Sequence, residues 1–270
     1  MGQLQEKYKS YRTPQKFMKA GVYPYFREIT SMQGTEVTDI DGHKILMFGS
    51  NAYTGLPSDP RIIAASHAAL DKYGTGCAGS RFLNGTLDLH IKLEKEIAKY
   101  IGKEDVLGYS TGFSVNEGVL SVVVGRGDYI ICDDRDHASI VDGRRLSFAT
   151  QLHYKHNDME DLERVLAKLP HEAIKLIVVD GVFSMEGDLA KLPQIVELKH
   201  KYNCSVMVDE AHGIGVFGRE GRGVCDHFGL TDEVDLIMGT FSKSLASIGG
   251  FIASDFDTIN WLRHTSRTYI

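Results

Sequence analysis

The second half of the sequence alternates short apolar runs with helix-like segments, and this alternation constrains the fold more than any other feature. The runs predicted as strands read DVLGYS, YIICDD, TQLHYKH, IKLIVVDGV, SVMVDEA, DLIMGTFS and GGFIASD. Helix patterns lie between several of them, at residues 113–124, 139–147, 158–169 and 192–203. Such alternation favours an α/β fold whose mostly parallel sheet is flanked by helices. Chemistry is then expected at strand carboxyl ends, where Ser184, Asp209 and Thr240 fall.

The first hundred residues have a different pattern. Residues 1–20 predict a helical arm, and residues 35–48 alternate around an Asp-Gly pair, which indicates a hairpin. Further helices are predicted at residues 60–73, 88–100 and 256–266, the last one leaving the domain. We therefore divide the chain into an N-terminal arm and hairpin, residues 1–55, and a large domain, residues 56–270.

Composition narrows the function classes. The 270 residues carry a net charge of −6 and contain no long Lys/Arg block, so a nucleic-acid partner is not expected. The four cysteines form no Cys-x-x-Cys pair, and no Cys/His spacing fits a zinc site, so we expect no metal. The N-terminus is polar, and no apolar stretch approaches the roughly 20 residues that span a bilayer. These features indicate a cytoplasmic protein with free thiols.

Two short strings resemble nucleotide-binding motifs. Residues 209–212 read DEAH, as in many helicases, but a helicase also needs the phosphate loop G-x-x-x-x-G-K-[ST]. The nearest candidate is Gly102-Lys103, where Ile97 stands in place of the first glycine. Residues 74–79 match G-x-G-x-x-G but follow a helix, whereas the dinucleotide motif follows a strand. Neither nucleotide interpretation is therefore supported.

Lys243 lies just past an apolar strand, among small hydroxyl residues. Most loop lysines are solvated charges, but a lysine in a confined pocket can lose its proton and attack a carbonyl. Thr240, Ser242 and Ser244 supply hydroxyl groups suited to a phosphate. Together with the strand-end Asp209, they indicate pyridoxal 5'-phosphate (PLP), whose aldehyde is held by a lysine and whose pyridinium nitrogen by an aspartate.

The sequence also offers candidate residues for the other parts of a PLP site, namely the phosphate, the ring face and the ring hydroxyl. Gly112 and Phe113 begin a helix after a strand, where backbone N–H groups can cradle a phosphate. His137 follows the next strand and could cover the ring, although a histidine beside three aspartates is by itself more typical of a surface. His212 and Ser184 are candidate partners for the ring hydroxyl.

Six stretches together resemble the α-oxoamine synthases, PLP-dependent enzymes of fold type I. They are GTGCAGSRFLNGT, YSTGF, DHASIVDG, DGVFSMEGD, VMVDEAHGIGVFGREGRG and GTFSKSLASIGG, in the family's order across essentially the whole chain. The resemblance implies a site built across a homodimer interface. It also implies a small C-terminal domain beyond Ile270, with an arginine that clamps the substrate carboxylate; without that domain we expect little synthase activity.

The resemblance further implies a role for each matching residue. Lys243 would be the Schiff-base lysine and would remove the α-proton, and Asp209 would pair with the pyridine nitrogen. His212 would contact the ring hydroxyl with Ser184 nearby, and His137 would stack on the ring and touch the substrate carboxylate. The phosphate would be surrounded by Gly112, Phe113, Thr240 and Ser242. The amino-acid carboxylate would be bound with the help of Asn51.

The residues around Lys243, here called the lysine loop (residues 239–244), differ between branches of this family. Ser242 stands where glycine-using members usually carry Gly, and TFSKS and RFLNGT resemble the serine-using bacterial members. The resemblance therefore implies decarboxylating condensation of L-serine with a long-chain acyl-CoA, palmitoyl-CoA, to a 3-keto sphingoid base (3-ketodihydrosphingosine), CoA and CO2, the first step of sphingolipid synthesis. A glycine C-acyltransferase of the 2-amino-3-ketobutyrate or 8-amino-7-oxononanoate synthase type stays open. A non-catalytic PLP-fold subunit and peripheral membrane contact stay open as well.

Overall fold

The computed structural model describes residues 2–270, which form two compact units, residues 2–49 and Ser50–Ile270. The elements of the first unit are α1 (Gln3–Lys9), α2 (Thr13–Lys19), β1 (Glu36–Thr38) and β2 (Lys44–Leu46). The two strands pair antiparallel, and Gly42 takes the positive φ of 81° that their tight turn requires. The predicted helical arm and hairpin are both present, whereas the division after residue 55 stays a prediction.

The second unit is built around a seven-stranded sheet. Its strands are β3 (Asp105–Tyr109), β4 (Tyr129–Asp133), β5 (Thr150–Tyr154), β6 (Lys175–Asp180), β7 (Ser205–Asp209), β8 (Leu236–Thr240) and β9 (Gly250–Ser254). Their order across the sheet is β3-β9-β8-β7-β6-β4-β5. All neighbours pair parallel except around β9, which is antiparallel to both β3 and β8. The expected mostly parallel α/β sheet is therefore confirmed.

Helices cover both faces of this sheet. Apart from α3 (Pro60–Tyr73), which has no buried residue, they are α4 (Asp88–Ile101), α5 (Gly112–Leu120), α6 (Ala138–Leu146), α7 (Met159–Leu166), α8 (Leu192–Tyr202), α9 (Val224–His227) and α10 (Phe256–Thr265). Successive residues of β6 alternate between the two cores: Ile177 packs with residues of α4, α7 and α8, and Val178 packs with residues of α5, α6 and α10. This two-sided burial explains why β6 is apolar almost throughout.

Three predicted helices differ from the observed ones, and the one predicted at 158–169 already ends at Leu166. The helix predicted at 113–124 ends at Leu120 and continues as a turn. The prediction that the last helix leaves the domain was wrong, because Ile259 and Leu262 of α10 are fully buried in the core. Residues three apart share one helical face, so this pair anchors α10, and Trp261 adds a hydrogen bond to the carbonyl of Val122.

Candidate active site

A cavity of about 350 Å³ lies at the carboxyl ends of β6, β7 and β8. Parallel strands bring their carboxyl ends to one edge of a sheet, and this edge is where such folds bind ligands. Nine of the ten predicted site residues line the cavity, namely Gly112, Phe113, His137, Ser184, Asp209, His212, Thr240, Ser242 and Lys243. Asn51 is the exception and does not reach the cavity wall.

Lys243 is half-buried and is held by His212. The Lys243 Nζ atom lies 2.6 Å from His212 Nε2. Burial lowers the pKa of Lys243, and the charges of Asp209 and Asp180 only partly oppose this effect. Burial, together with the Lys243 charge, lowers the pKa of His212 to about 4. His212 is therefore neutral at pH 7, and Lys243 loses its proton more easily than a solvated lysine.

Tyr53 connects this pair to Asn51. The Tyr53 hydroxyl lies 2.7 Å from His212 Nδ1 and donates to Asn51 Oδ1 at 3.2 Å. Because the hydroxyl proton goes to Asn51, the oxygen accepts from Nδ1–H, which leaves the other ring nitrogen to accept from Lys243. Tyr53 is not among the site residues predicted from the sequence. Asn51 thus lies behind His212 rather than in the cavity wall.

Asp209 ends β7 and is buried on the cavity floor. Its Oδ1 accepts from the backbone N–H of Ala211 at 2.9 Å, and its Oδ2 accepts from the amide of Asn116 at 2.8 Å. Asp180 is its register partner on β6 and also lines the cavity. Burial and the nearby Asp209 charge raise the pKa of Asp180 well above its usual range. Two buried carboxyl groups therefore face this site, of which sequence analysis selected one.

The opposite end of the cavity is rich in hydrogen-bond donors. Helix α5 begins at Gly112, so its first backbone N–H groups have no carbonyl partner within the helix, and Thr111 caps it by accepting from Ser114 N at 2.9 Å. A Cβ atom at Gly112 would lie only 2.8 Å from Thr240 Oγ1, so glycine is required where α5 meets β8.

The hydroxyl groups of the lysine loop do not all face this end. Thr240 and Ser242 line the cavity, and their oxygens lie 2.9 Å apart. Ser244 is buried and packs so closely against Gly215 that a Cβ there would lie 2.5 Å from Ser244 Cβ. Of the three hydroxyl groups considered suitable for a phosphate, Ser244 is therefore the one that the structure places elsewhere.

His137 forms one side of the cavity with Phe113. Their ring centroids lie 6.4 Å apart in an edge-to-face arrangement. The His137 backbone N–H donates to Asp180 at 2.9 Å, and its Nδ1 lies 2.8 Å from the hydroxyl of Ser139. His137 is therefore oriented by partners at both its backbone and its ring, unlike an ordinary surface histidine.

Glu210 explains the rest of the helicase-like string. Its buried carboxylate accepts from the backbone N–H groups of Val224 at 2.9 Å and Cys225 at 2.7 Å, at the start of α9. Burial raises its pKa, and these hydrogen bonds partly oppose the shift. Glu210 thus caps helix α9, whereas the neighbouring Asp209 faces the cavity. The two carboxylates of the DEAH sequence therefore have different structural roles.

A larger cavity, of about 650 Å³, lies on the other side of the lysine loop. Its walls are mostly apolar, and its charged residues Arg81 and Glu94 pair with each other at 3.0 Å. The smaller cavity instead gathers a lysine, two histidines and two carboxyl groups. We therefore assign the chemistry to the smaller cavity.

Comparison with known proteins agrees with this geometry. The family model "Aminotransferase class I and II" matches residues 43–270. The chain is 71% identical over 270 residues to the serine palmitoyltransferase of Bacteroides ovatus, covering 100% of this chain and 68% of that protein. It is 44% identical over 253 residues to the 8-amino-7-oxononanoate synthase of Thermoanaerobacter pseudethanolicus, covering 93% of this chain and 64% of that protein.

A solved structure gives the same result. A serine palmitoyltransferase from S. paucimobilis with PLP–myriocin bound superimposes with a TM-score of 0.95 at 37% identity, covering 100% of this chain and 68% of that one. The fold is therefore the type I fold of PLP-dependent enzymes. The chain belongs to the class I and II aminotransferase family, within its PLP-dependent α-oxoamine synthases and near the bacterial serine palmitoyltransferases.

Proposed function

We propose that this chain carries the PLP site of an enzyme that condenses L-serine with palmitoyl-CoA, releasing CoA and CO2 and yielding 3-ketodihydrosphingosine. We infer these substrates from the 71% identity, over all 270 residues, to a serine palmitoyltransferase. The cavity geometry supports the reaction type, because a half-buried lysine and a buried strand-end aspartate face the same space.

The residues present fit PLP at each of its polar groups. Asp209 supplies a carboxylate for the pyridine nitrogen, and His212 and Ser184 supply partners for the ring hydroxyl. The start of α5, at Gly112 and Phe113, supplies backbone donors for the phosphate. The hydroxyl groups of Thr240 and Ser242 add to this phosphate cradle.

The side chains of this chain then perform the steps around the substrate. PLP, when bound, supplies the electron sink that stabilises negative charge on the α-carbon of serine. Lys243 takes the α-proton on its Nζ atom, and its lowered pKa favours the amine form that can accept this proton. Neutral His212 holds Nζ in place by accepting its hydrogen bond. His137, which lines the cavity, would cover the ring of bound PLP and donate to the serine carboxylate.

Two alternatives are less well supported. A glycine C-acyltransferase would usually carry glycine directly before the lysine, whereas this chain carries Ser242. The 8-amino-7-oxononanoate synthase of Thermoanaerobacter pseudethanolicus is 44% identical to this chain, against 71% for the serine palmitoyltransferase of Bacteroides ovatus. A non-catalytic subunit would typically lack the lysine that here lines the cavity.

The assembly and location of the protein are part of the same proposal. We propose a homodimer in the cytoplasm, supported by the resemblance to the α-oxoamine synthases and by the four cysteines, none of which is in a disulfide. Peripheral membrane contact, which a long-chain acyl substrate favours, stays a prediction. Residues 2–270 contain no helix long and apolar enough to cross a membrane.

A direct assay tests the reaction. The PLP-loaded protein is incubated with palmitoyl-CoA and carboxyl-labelled serine, glycine or alanine, and released CO2 and the amino ketone product are measured. Whatever the overall turnover, we expect more product with serine than with glycine or alanine. A preference for glycine, or for acetyl-CoA over palmitoyl-CoA, would instead support the glycine acyltransferase alternative.

A further inference from the structure

We propose that Asn116 and Ser139 are positioning residues, which link Asp209 to His137 and fix the tautomer of the His137 ring. This inference rests on the proposed function, because it concerns the two residues assigned to the pyridine nitrogen and the ring face. Neither Asn116 nor Ser139 has a role in the reaction described so far.

The link begins at the amide group of Asn116, which is fully buried on α5. Its Nδ2 atom lies 2.8 Å from Asp209 Oδ2 and 2.8 Å from Ser139 Oγ, so both of its N–H groups donate. Its Oδ1 atom is buried without a partner. The reverse orientation would place that oxygen against the Asp209 carboxylate, where two acceptors would repel each other. Asn116 is therefore held for its two donors.

The second step passes through the hydroxyl group of Ser139. Because Ser139 Oγ accepts from Asn116, its own hydrogen is free to donate, and His137 Nδ1 lies 2.8 Å away. The backbone N–H of Ser139 donates to the same nitrogen at 3.2 Å. With two donors directed at it, Nδ1 must accept, so the single proton of the neutral ring resides on Nε2.

The link has a functional consequence at both ends. It keeps an N–H donor on His137 Nε2, available for the carboxylate of serine. It also fixes the orientation of the Asp209 carboxylate, because Asn116 donates to Oδ2 while the backbone N–H of Ala211 donates to Oδ1. Asn116 lies one helical turn after Gly112 on α5, so the same helix that begins at the phosphate end of the cavity positions the groups at the ring.

Nitrogen NMR of histidine-labelled, PLP-loaded protein tests the tautomer directly, with the His137 signal assigned from a His137→Gln variant. We expect an unprotonated Nδ1 and a protonated Nε2 in the wild type. Ser139→Ala leaves only the backbone N–H of residue 139 directed at Nδ1, so it should increase the population of the Nδ1–H tautomer, as should Asn116→Leu. Ser139→Thr, which keeps the hydroxyl, should restore the wild-type pattern. Ser121→Ala is the matched control, because that hydroxyl only contacts its own helix.

A second readout separates the two ends of the link. Asn116→Leu should change the pH dependence of the PLP absorption spectrum, through Asp209, and should slow α-proton exchange of serine by about 10- to 100-fold, as losses of outer-shell partners do at metal sites. Ser139→Ala should leave the spectrum unchanged. The Ser139 variants test the link even if Asn116→Leu fails to fold.

Two results would overturn the inference: a protonated Nδ1 in the wild type, or a wild-type tautomer pattern in Ser139→Ala. Failure of the proposed function is distinguishable, because it would appear as a preference for glycine over serine in the assay of released CO2, with the NMR pattern unaffected.

Discussion

At the scale of single residues, the behaviour of Lys243 depends on its surroundings more than on its burial. Lys103 is also partly buried, and burial lowers its pKa as well, but its Nζ donates to the carbonyl of Val234. Lys243 instead faces a cavity and a neutral histidine. A lowered pKa makes a lysine nucleophilic only where an electrophile can reach it.

We therefore expect PLP to attach to Lys243 alone. Borohydride reduction of the PLP-loaded protein, followed by peptide mass spectrometry, should place the adduct on Lys243 and leave Lys103 unmodified. Lys243→Ala should abolish both the adduct and turnover while the far-UV circular dichroism stays unchanged. An adduct on any other lysine would contradict the assignment.

Asp209 allows a test in which shape is conserved and charge is not. Asp209→Asn keeps the shape and one acceptor oxygen, although its NH2 group cannot accept from the second of the two donors, Ala211 N and Asn116 Nδ2. It removes the negative charge that sustains a protonated pyridine nitrogen. We expect α-proton exchange of serine, followed by proton NMR in D2O, to slow by about 100-fold or more, the typical loss when a key electrostatic partner is removed. Unchanged exchange would show that Asp209 is not the partner of the ring nitrogen.

At the scale of elements, short helices depend on caps supplied from elsewhere. Helix α9 has only four residues, too few to be stable alone, and Glu210 accepts its first two N–H groups from the end of β7. Gly213 and Gly223 leave room for this carboxylate, because a Cβ at either would lie within 3.0 Å of it.

Removing this cap should cost stability rather than chemistry. Glu210→Ala leaves two buried N–H groups unpaired, so we expect the free energy of unfolding to fall by about 3 kcal/mol in urea denaturation. Glu210→Gln, which keeps one acceptor, should cost less. Glu160→Ala, at an exposed position on α7, is the control and should change little. A loss for Glu210→Ala no larger than the control would show that the cap is dispensable.

A histidine joins the end of β4 to the loop after β6. His156 Nδ1 lies 2.9 Å from Asp133, and its Nε2 lies 3.1 Å from Asp188. Burial alone would lower its pKa, but the hydrogen bond and charge of Asp133, with those of Asp188, raise it above its usual value. The protonated form is therefore favoured in the folded state.

This shift predicts a pH-dependent contribution to stability. The contribution is fully present below the unfolded pKa, about 6.5, and is lost as the pH rises through the higher folded pKa. The difference in unfolding free energy between wild type and His156→Gln should be about 1 kcal/mol at pH 5.5 and should shrink by pH 8.5. Urea denaturation at both values measures it; a difference that grows with pH would contradict the sign.

At the scale of the whole molecule, three exposed apolar side chains surround the larger cavity. Phe82 and Leu83 lie in the loop whose Gly79 and Gly85 line it, and Ile248 lines it directly. Leu83 is 80% exposed and Ile248 is 83% exposed. Exposed apolar groups gathered around one opening are typical of an interface, so they support the proposed homodimer.

Charge introduced there should weaken the dimer. We expect Leu83→Asp and Ile248→Asp to raise the dimer dissociation constant by at least tenfold in sedimentation velocity, since a buried unpaired carboxylate is costly. Phe148→Asp is the control, because Phe148 is also exposed but lies just before β5, at the opposite end of the strands. A monomeric wild type, or equal effects at all three positions, would contradict the assignment of the interface.

Much of the architecture follows from local sequence. The helix over residues 60–73 and the strands of the sheet were predicted within about two residues, because their apolar periods and their Pro and Gly boundaries are local properties. The antiparallel direction of β9 was not predicted, since strand direction depends on how the chain crosses the sheet. The packing of α10 was missed because most of the core residues around it, such as Leu107 on β3 and Val119 on α5, lie more than a hundred residues earlier in the chain.

What the sequence by itself determined was the chemistry: a lysine after a strand, a strand-end aspartate, and a set of motifs specific enough to indicate PLP. What only the tertiary structure decided was the support of those groups. Asn116 reaches Asp209 across 93 positions, and Tyr53 reaches His212 across 159. Asp180 and Asp209 become neighbours only through strand pairing. The reason is physical, because a reactive group is defined by its residue type, whereas its orientation and protonation depend on contacts that folding alone creates.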